Sequence, residues 1–154
     1  MTSRSGRPSD LELLDGLRLA DTPGHLLRRN HQRSYEIFSR LVGDDVTRQQ
    51  MALLISLHQT PGASQRTLVE LTGFDRATIA EMVGRMIERG WVERQRDPHD
   101  GRAWTMNITD AGRQFVLARI LQIVQVQNEI LAPLPESDRE HFLRCLRILL
   151  GIQP

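Results

Sequence analysis

Residues 64–109, SQRTLVELTGFDRATIAEMVGRMIERGWVERQRDPHDGRAWTMNIT, contain the pattern that decides the fold. Ser64 is a favoured N-cap residue for a short helix that ends at Gly73. Asp75 is the N-cap of a second helix, which ends before Gly90. Two helices joined by such a tight turn predict a helix-turn-helix.

A β-hairpin is predicted directly after the second helix. Residues 91–94 and 103–108 have strand character, and the turn signals Asp97-Pro98 and Asp100-Gly101 lie between them. A helix-turn-helix followed by such a hairpin, the wing, is a winged helix. The second helix, which we call the reading helix, then faces a DNA major groove, and the wing faces the adjacent minor groove.

Cap signals outside this stretch predict long helices on both sides of it. We expect a flexible arm or short helix at 1–21, a helix from Thr22-Pro23 to Gly43, a helix opened by the capping box Thr47 to Gln50, a long helix from Thr109 to about Leu131, and a last helix opened by the capping box Ser137 to Glu140. The expected fold class is mainly α with a small β-hairpin wing (α+β). In it, a winged lobe at residues 47–108 carries dimerisation helices at 22–46 and 109–154.

Composition limits the partners and the compartment. The chain has 154 residues, a net charge of +1, 20 arginines and no lysine, so DNA binding has to come from local clusters rather than from overall charge. A lone cysteine, Cys145, excludes an intrachain disulfide, and we expect it to be a packed structural thiol. The N-terminus has no apolar run typical of a signal peptide, and no stretch is long enough to span a membrane. We therefore expect a cytoplasmic protein without a membrane partner.

The reading helix has one apolar and one thin polar face. At 100° per residue the predicted core face carries Ile79, Met82, Val83, Met86 and Ile87. The opposite face includes Ala77 and Gly84, which are nearly bare backbone. An exposed helical glycine costs roughly 1 kcal/mol relative to alanine, and close approach of another surface is one reason to keep it. An ordinary amphipathic helix with a solvated polar face is the alternative.

Candidate DNA contacts follow from these positions. The start of the first helix is suited to a phosphate, the reading helix offers a methyl group, a carboxylate and guanidinium groups to base edges, and the wing offers arginines to a minor groove. An aspartate of the wing can hold an arginine in a forked pair. The candidates are Ser64, Gln65, Arg66, Arg76, Ala77, Thr78, Glu81, Arg85, Arg94, Arg96, Asp100 and Arg102. A solvated turn with incidental ion pairs is the alternative for the wing.

The wing also resembles a known family. The segments RDPHDGR at 96–102 and ITDAG at 108–112 are similar to the wing signature of the MarR family of transcriptional regulators, and the resemblance extends over residues 23–150. The family usually has a further arginine where this chain has Gly101. The element Asp100-x-Arg102 is retained, which makes Arg102 the minor-groove candidate. The resemblance implies a homodimer whose terminal helices interlock and whose two reading helices bind a pseudo-palindromic operator.

The predicted helix at 109–131 carries two adjacent apolar rows. One row is Val116, Ile120, Ile123 and Ile130, and the other is Leu117, Leu121, Val124 and Leu131. A stripe this wide exceeds what one small domain needs, so we expect it to pack on its own domain and on a partner chain. A monomer with a large core is the alternative.

Basic residues crowd the first long helix. The resemblance implies that small anionic or phenolic ligands bind between the dimerisation helices and the winged lobe, and arginine with histidine can hold a carboxylate. The candidate effector residues are His25, Arg28, Arg29, Gln32, Tyr35, Phe38 and Met51, and the expected effector is an aromatic acid or its thioester. A solvated basic face or contacts with a partner chain remain alternatives. The histidines lack a ligand spacing and no acidic or thiol cluster accompanies them, so we expect no metal.

These observations favour a dimeric repressor that a small ligand releases from double-stranded DNA. A winged-helix dimer that serves as a protein-interaction scaffold is the alternative. No nucleophile–base pair and no phosphate-binding glycine loop is recognisable in the sequence, so we expect neither catalytic residues nor a cofactor.

Overall fold

The computed structural model describes residues 9–98 and 100–152. The parts of the predicted arm, wing and C-terminal dimerisation segment that fall on residues 1–8, 99 and 153–154 lie outside the described residues. The described elements are α1 (Asp10–Gly16), a 3-10 turn (Leu19–Asp21), α2 (Pro23–Val42), α3 (Arg48–Gln59), β1 (Ala63–Ser64), α4 (Gln65–Thr72), α5 (Arg76–Glu88), β2 (Val92–Arg96), β3 (Trp104–Ile108), α6 (Asp110–Leu117), α7 (Ile120–Leu131) and α8 (Glu136–Leu149). This order confirms the predicted mainly helical winged helix-turn-helix, and α5 is the reading helix.

The wing is part of a small antiparallel sheet with the strand order β1-β3-β2. Val92 lies opposite Ile108, and Arg96 lies opposite Trp104. The two strands of the hairpin were predicted, with bounds that differ by one or two residues. The two-residue strand β1 was not predicted, and it joins the sheet through Ala63, which lies opposite Met106.

The core of the winged lobe lies where α3, α4 and α5 meet the sheet. Its fully buried side chains are Leu53, Leu54, Leu57, Leu68, Ile79 and Met86. A second core cluster lies between α2, the start of α3 and α7, and consists of Ile37, Phe38, Val42, Val46, Met51, Ile123 and Val126. Burial of each such aliphatic side chain stabilises the fold by about 1.5–3 kcal/mol before entropy is considered.

Arg33 on α2 fixes the position of α7. Its guanidinium donates to the carbonyls of Ile130 (2.9 Å) and Glu129 (2.8 Å), which lie in the last turn of α7. Carbonyls in the last turn of a helix have no partner within the helix, so these bonds satisfy acceptors and hold α7 against α2. Arg40 forms an ion pair with Glu129 on the same side. This hydrogen bond from Arg40 is the main reason that the pKa of Glu129 is lowered.

The predicted helix starts are mostly capped as the sequence indicates. At four of the predicted caps, the N-cap side-chain oxygen accepts a backbone N–H: Thr47 from Gln50, Ser64 from Thr67, Asp75 from Thr78, and Thr109 from Gly112. The Gln50 side chain accepts the Thr47 N–H (3.0 Å) in return, which completes the predicted capping box. Thr22 occupies the N-cap position of α2, but its hydroxyl donates to the Arg18 carbonyl instead.

The single long helix predicted for residues 109–131 is wrong. The helix is interrupted at Ala118 and Arg119, between α6 and α7. Arg119 has φ −117° and ψ 6°. The Arg119 guanidinium turns towards the loop between α2 and α3 and donates to Asp45 Oδ2 (2.5 Å). Because Asp45 lies 74 residues away in the sequence, a local pattern does not signal the break.

The capping box predicted for the last helix is also wrong. The helix begins at Glu136, two residues earlier than an N-cap at Ser137 would give, with Pro135 in the N-cap position and no side-chain cap. The Ser137 hydroxyl donates to Asp138 Oδ1 (3.1 Å), and Glu140 pairs with Arg147 (3.3 Å). Proline has a restricted φ and does not continue the preceding segment. The helix therefore begins directly after Pro135, so Ser137 does not serve as its N-cap.

Large apolar side chains remain exposed on the helices outside the winged lobe. More than half of the side chain is exposed at Leu11, Leu13, Leu14, Leu17, Leu19, Leu117, Leu121, Val124, Ile148, Leu149, Leu150 and Ile152. Along α7 the surfaces alternate, since Ile123 and Val126 are buried against α2 while Leu121 and Val124 face outward. Exposed apolar side chains in this number are typical of an interaction site.

Gly112 sets how closely α6 packs on the sheet. A Cβ atom at this position would lie 2.2 Å from the Trp91 carbonyl oxygen and 3.0 Å from Ile108 Cγ1. We expect Gly112→Ala to lower the free energy of unfolding by about 3 kcal/mol, because α6 has to move away from the backbone of Trp91. Urea unfolding followed by circular dichroism measures the change.

Gly84 on α5 provides the matched control, since nothing lies within 4 Å of a Cβ atom placed there. We expect Gly84→Ala to raise the free energy of unfolding by about 0.5–1 kcal/mol, because alanine favours the helix. A Gly112→Ala variant as stable as the unchanged chain would contradict the close packing.

Candidate nucleic-acid interface

The start of the reading helix α5 is fixed by Asp75. Its Oδ1 accepts the backbone N–H of Thr78 (2.9 Å), and its Oδ2 accepts the Thr78 hydroxyl (2.6 Å). The Thr78 hydroxyl and then the Thr78 N–H lower the pKa of Asp75, because both bonds favour the carboxylate. Since the hydroxyl proton is engaged by Asp75, Thr78 has its methyl group and oxygen lone pairs left for another surface.

The buried side of α5 determines which side chains face outward. Ile79, Met82, Val83 and Met86 are buried in the core of the winged lobe, as predicted. Ile87 was placed on the same face but is 38% exposed, because it lies at the margin of that face. Among the predicted outer residues, Thr78 is half-buried, and Ala77, Glu81, Gly84 and Arg85 are exposed.

Glu81 and Arg85 form an ion pair on this outer face. The Arg85 guanidinium lies 2.5 Å from Glu81 Oε1, one helical turn away. Both side chains are well exposed, so the pair contributes little to stability. It does orient the guanidinium along the outer face of α5.

The start of α4 lies beside the start of α5. The Gln65 side-chain amide donates to the Arg76 carbonyl (2.9 Å), which ties the two helix starts together. Ser64 caps α4, and Arg66 pairs with Glu70 (2.9 Å) on the exposed side. The predicted contacts on α4 and at the start of α5 therefore belong to one continuous surface.

At the wing tip, the carboxylates of Asp97 and Asp100 accept backbone N–H groups. Asp100 Oδ1 accepts the backbone N–H of Arg102 (3.0 Å), and Asp97 Oδ1 accepts that of Asp100 (3.2 Å). The expected forked pair between Asp100 and the Arg102 side chain is therefore not formed. A short aspartate side chain reaches a backbone N–H two residues ahead more readily than a long guanidinium. Asp100 shapes the turn that presents Arg102.

Trp104 on β3 carries two arginines of β2 on its ring. The guanidinium carbon lies 4.3 Å from the ring centroid for Arg94 and 4.1 Å for Arg96. Sequence reasoning did not select Trp104. The signal that finds it is the hairpin register, which sets Arg96 directly opposite it.

A cavity of about 410 Å³ lies between α5, the start of α4 and the wing. Its floor is apolar and includes Ile79, Val83 and Met106, while four arginines lie around it. The predicted DNA contacts that the structure brings together here are Ser64, Gln65, Arg66, Arg76, Arg94 and Arg102. The predicted contacts Ala77, Thr78, Glu81, Arg85, Arg96 and Asp100 do not line it. The arrangement is a positively charged groove between two protruding elements.

The predicted effector residues are spread over α2 and the start of α3. Arg28, Arg29, Gln32 and Tyr35 are exposed, His25 is half-buried, and Phe38 and Met51 belong to the core cluster between α2 and α7. Gln32 donates to Glu36 (3.2 Å). Arg29 lines a separate cavity of about 250 Å³ with Leu26, Asn30 and Arg33.

A different polar cluster bridges α2 and α3. The Arg48 guanidinium lies 3.0 Å from His31 Nδ1 and donates to the Ser34 hydroxyl. Within the described part of the chain, the carboxylates all lie more than 4.0 Å from Arg48. Sequence reasoning missed Arg48 and Ser34, because they lie 14 residues apart and on different helices.

The remaining candidate chemistry is limited. Among residues 9–98 and 100–152, no group of three His, Cys, Asp or Glu side chains is arranged to hold a metal ion. The half-buried Cys145 thiol lies 3.5 Å from His141 Nε2 on α8. The helices of the described ranges are too short or too polar to cross a bilayer.

Comparison of sequences relates the chain to known regulators. The sequence model of the MarR family matches residues 44–103. The transcriptional regulator HosA of Escherichia coli O111:H- is 33% identical over 107 residues, which cover 70% of this chain and 79% of HosA. The transcriptional repressor NicR of Pseudomonas putida is 30% identical over 150 residues, which cover 97% of this chain and 93% of NicR.

Solved structures have the same fold. PcaV of Streptomyces coelicolor, in complex with its natural ligand, has a TM-score of 0.83 and 36% identity, covering 88% of this chain and 96% of PcaV. BpsR of Bordetella bronchiseptica, whose DNA binding is regulated by 6-hydroxynicotinic acid, has a TM-score of 0.82 and 26% identity (86% and 96% covered). The repressor CouR bound to a 23-mer DNA duplex has a TM-score of 0.79 and 25% identity (86% and 94% covered).

The Asp75 cap allows a test of how the reading helix is held. We expect Asp75→Ala to lower the thermal unfolding midpoint, because the first turn of α5 loses its acceptor, while Asp75→Asn keeps a capping oxygen and loses less. The folded-state pKa of Asp75 lies below its unfolded value. The stabilisation by the carboxylate is therefore complete above about pH 4 and is lost as the pH falls through the folded-state pKa.

Circular dichroism melts across this pH range measure the effect. The difference between the unchanged chain and Asp75→Asn should shrink on acidification. Equal midpoints for the unchanged chain and Asp75→Ala near neutral pH would show that the cap has no role in holding α5.

Proposed function

This chain belongs to the MarR family of transcriptional regulators, and we propose that it is a homodimeric repressor that a small aromatic acid or its thioester releases from DNA. The family consists of regulators rather than enzymes, and we propose that the groove beside α5 is a binding surface. Since the proposed partner is chromosomal DNA, we expect the protein to act in the cytoplasm.

The observation that carries the DNA-binding proposal is the groove between α5 and the wing. A helix in a major groove and a hairpin in the adjacent minor groove have one sugar–phosphate strand between them. Arg66, Arg76, Arg94 and Arg102 surround the cavity at this point. Glu70 offsets the charge of Arg66, and the other three arginines supply positive charge where phosphates would pass. The similar protein CouR binds a 23-mer DNA duplex, which supports the same use of this surface.

The exposed apolar residues of α1, α7 and α8 support a dimer. They lie outside the winged lobe and are too numerous to be scattered surface residues. A second copy of the chain is the partner that we propose, because a two-fold axis through these helices presents two reading helices at once. Two reading helices about one helical turn apart fit a pseudo-palindromic operator.

The Arg48 cluster is our candidate for the carboxylate of the effector. Arg48, His31 and Ser34 converge from two helices, and arginine binds a carboxylate in a bidentate manner. PcaV and BpsR are regulators described with small ligands, and the ligand of BpsR is an aromatic acid. A ligand between α2 and α3 changes the angle between the dimerisation helices and the winged lobe. It would favour a dimer whose reading helices are misspaced for successive major grooves.

The DNA-binding proposal is tested with Arg102→Ala. We expect about tenfold weaker binding to an operator duplex selected from a random-sequence library, and a salt slope smaller by about one, because one cationic contact is lost. Fluorescence anisotropy titrations at several salt concentrations measure both quantities, with two chains expected per duplex.

Arg144→Ala is the matched control, since Arg144 is an exposed arginine of α8 that bonds to His141 (3.0 Å). It should bind as the unchanged chain does. If no duplex is enriched in the selection and the unchanged chain shows no salt-dependent binding, the proposal fails. If it binds and Arg102→Ala is unaffected, the assignment of the wing tip is wrong.

The effector proposal is tested by thermal shift with 6-hydroxynicotinic acid, benzoic acid and benzoyl-CoA. A ligand that binds the folded state raises the unfolding midpoint by mass action. We expect at least one of these compounds to raise it, and Arg48→Gln to abolish the rise.

Arg113→Gln is the control, because Arg113 also contacts a histidine, His58 (3.3 Å), but has Asp110 within 4.0 Å. It should keep the shift. No shift with any of the three compounds would overturn the proposed ligand class. An equal shift in Arg48→Gln would overturn the proposed site.

A further inference from the structure

We propose that Trp104 is a positioning residue for DNA binding, whose ring holds Arg94 at the groove between α5 and the wing, where a DNA strand would pass, and holds Arg96 beside that groove. This inference rests on the proposed DNA binding. It adds a residue that makes the wing a prearranged cationic surface rather than a flexible one.

The strand register produces the stack. Arg96 lies directly opposite Trp104, and Arg94 lies opposite Met106, two residues along the same face. Long side chains at direct and diagonal positions on one face are within reach of each other. Both guanidinium groups accordingly lie over the same ring, at 4.3 Å and 4.1 Å from its centroid.

The location of the ring connects this stack with the groove. Trp104 lies on the same face of β3 as Met106 and Ile108, and those two side chains are buried in the winged lobe. Trp104 extends that face outward, is 37% exposed, and lines the cavity together with Arg94 and Arg102. The ring is therefore anchored by the sheet on one side and borders the groove on the other.

Stacking on a ring leaves the positive charge of an arginine uncompensated, whereas an ion pair offsets that charge. Arg66 pairs with Glu70 and Arg85 pairs with Glu81, so a carboxylate offsets the charge of each guanidinium. A neutral indole ring attracts a guanidinium without cancelling its charge, and it leaves the N–H groups free at the edges of the plane. Arg96 donates one N–H to the Arg102 carbonyl (3.5 Å), and the charges of Arg94 and Arg96 remain available to phosphate oxygens.

Restriction of the Arg94 and Arg96 side chains in the unbound protein favours association with DNA. A free arginine loses rotamer freedom when it is fixed against DNA, and this loss weakens binding. Arg94 and Arg96 lose less, because the ring already restricts them in the unbound protein. The substitutions at Trp104 and at the two arginines should therefore have non-additive effects on the free energy of DNA binding.

The test is a fluorescence anisotropy titration with a fluorescein-labelled duplex of mixed sequence, about 30 base pairs long, because phosphate contacts act on any sequence. We expect Trp104→Leu to bind about fivefold more weakly, the order expected when two side chains lose their prior ordering. Trp104→Tyr keeps an aromatic face and should bind within about twofold of the unchanged chain. The thermal midpoint of each variant is measured alongside.

Coupling separates positioning from a general structural role. The double variant Arg94→Gln/Arg96→Gln should bind more weakly than Trp104→Leu, and adding Trp104→Leu to it should cause no further loss. The double variant Arg113→Gln/Arg144→Gln removes the same charge elsewhere and should show a smaller loss.

Three results would overturn the inference while leaving DNA binding intact. They are unchanged affinity in Trp104→Leu, equal weakness of Trp104→Tyr and Trp104→Leu, and a Trp104→Leu effect that is undiminished when both arginines are absent. If the unchanged chain itself shows no salt-dependent binding, the proposed function fails instead.

Discussion

The rings of Trp91 and Phe115 lie 4.0 Å apart at an angle of 30°, and the two core clusters of the protein meet at this contact. Both rings pack against the core of the winged lobe and against the cluster between α2 and α7. The backbone of Trp91 is engaged as well, since its N–H donates to the Met86 carbonyl (2.9 Å) and its carbonyl accepts from Thr109 (3.0 Å). Trp91 is therefore bonded to the end of the reading helix and to the start of α6, and it directly precedes the wing, so it links the positions of all three elements.

Asp45 holds the same joint from the loop between α2 and α3. Its carboxylate accepts from Arg119, and its carbonyl accepts from Arg89 (2.8 Å). The two guanidinium groups also lie over the aromatic rings, Arg119 at 3.8 Å from the Phe115 centroid and Arg89 at 4.8 Å from the Trp91 centroid. A rotation of α7 relative to the winged lobe has to disturb these contacts together. In a dimer formed through the outer helices, this joint would control the spacing of the two reading helices.

Arginine has three distinct roles in this chain, which contains no lysine. Arg33 satisfies the last carbonyls of α7, Arg85 pairs with a carboxylate on its own helix, and Arg94 stacks on a ring. Each role uses the planar guanidinium in a way that an ammonium group does not reproduce. Because the net charge is only +1, a positive field near DNA depends on which arginines keep their charge uncompensated. In the proposed complex with DNA, the groove beside the wing therefore contributes more than the overall composition does.

The features that could be predicted from the sequence are those whose partners lie within a few residues. The caps at Thr47 and Asp75 each act three residues ahead, so local spacing suffices to place α3 and α5. The turn formed by Asp100 is equally local. A guanidinium partner was predicted for Asp100, although the backbone N–H of Arg102 lies nearer. The break before α7 depends on Asp45, which local spacing does not connect to Arg119.

The same distinction applies to the candidate site. The outer face of α5 was predicted because one helix carries all of it, whereas the Arg48 cluster combines two helices and the Trp104 stack combines two strands. In the stack, the missing information was the register: once Val92 is set opposite Ile108, Arg96 has to lie opposite Trp104. A turn fixes the register of a hairpin. Correct placement of the two strand ends in the wing sequence therefore predicts that Arg96 lies opposite Trp104. The error of one or two residues in the strand bounds was therefore enough to hide the residue on which both arginines rest.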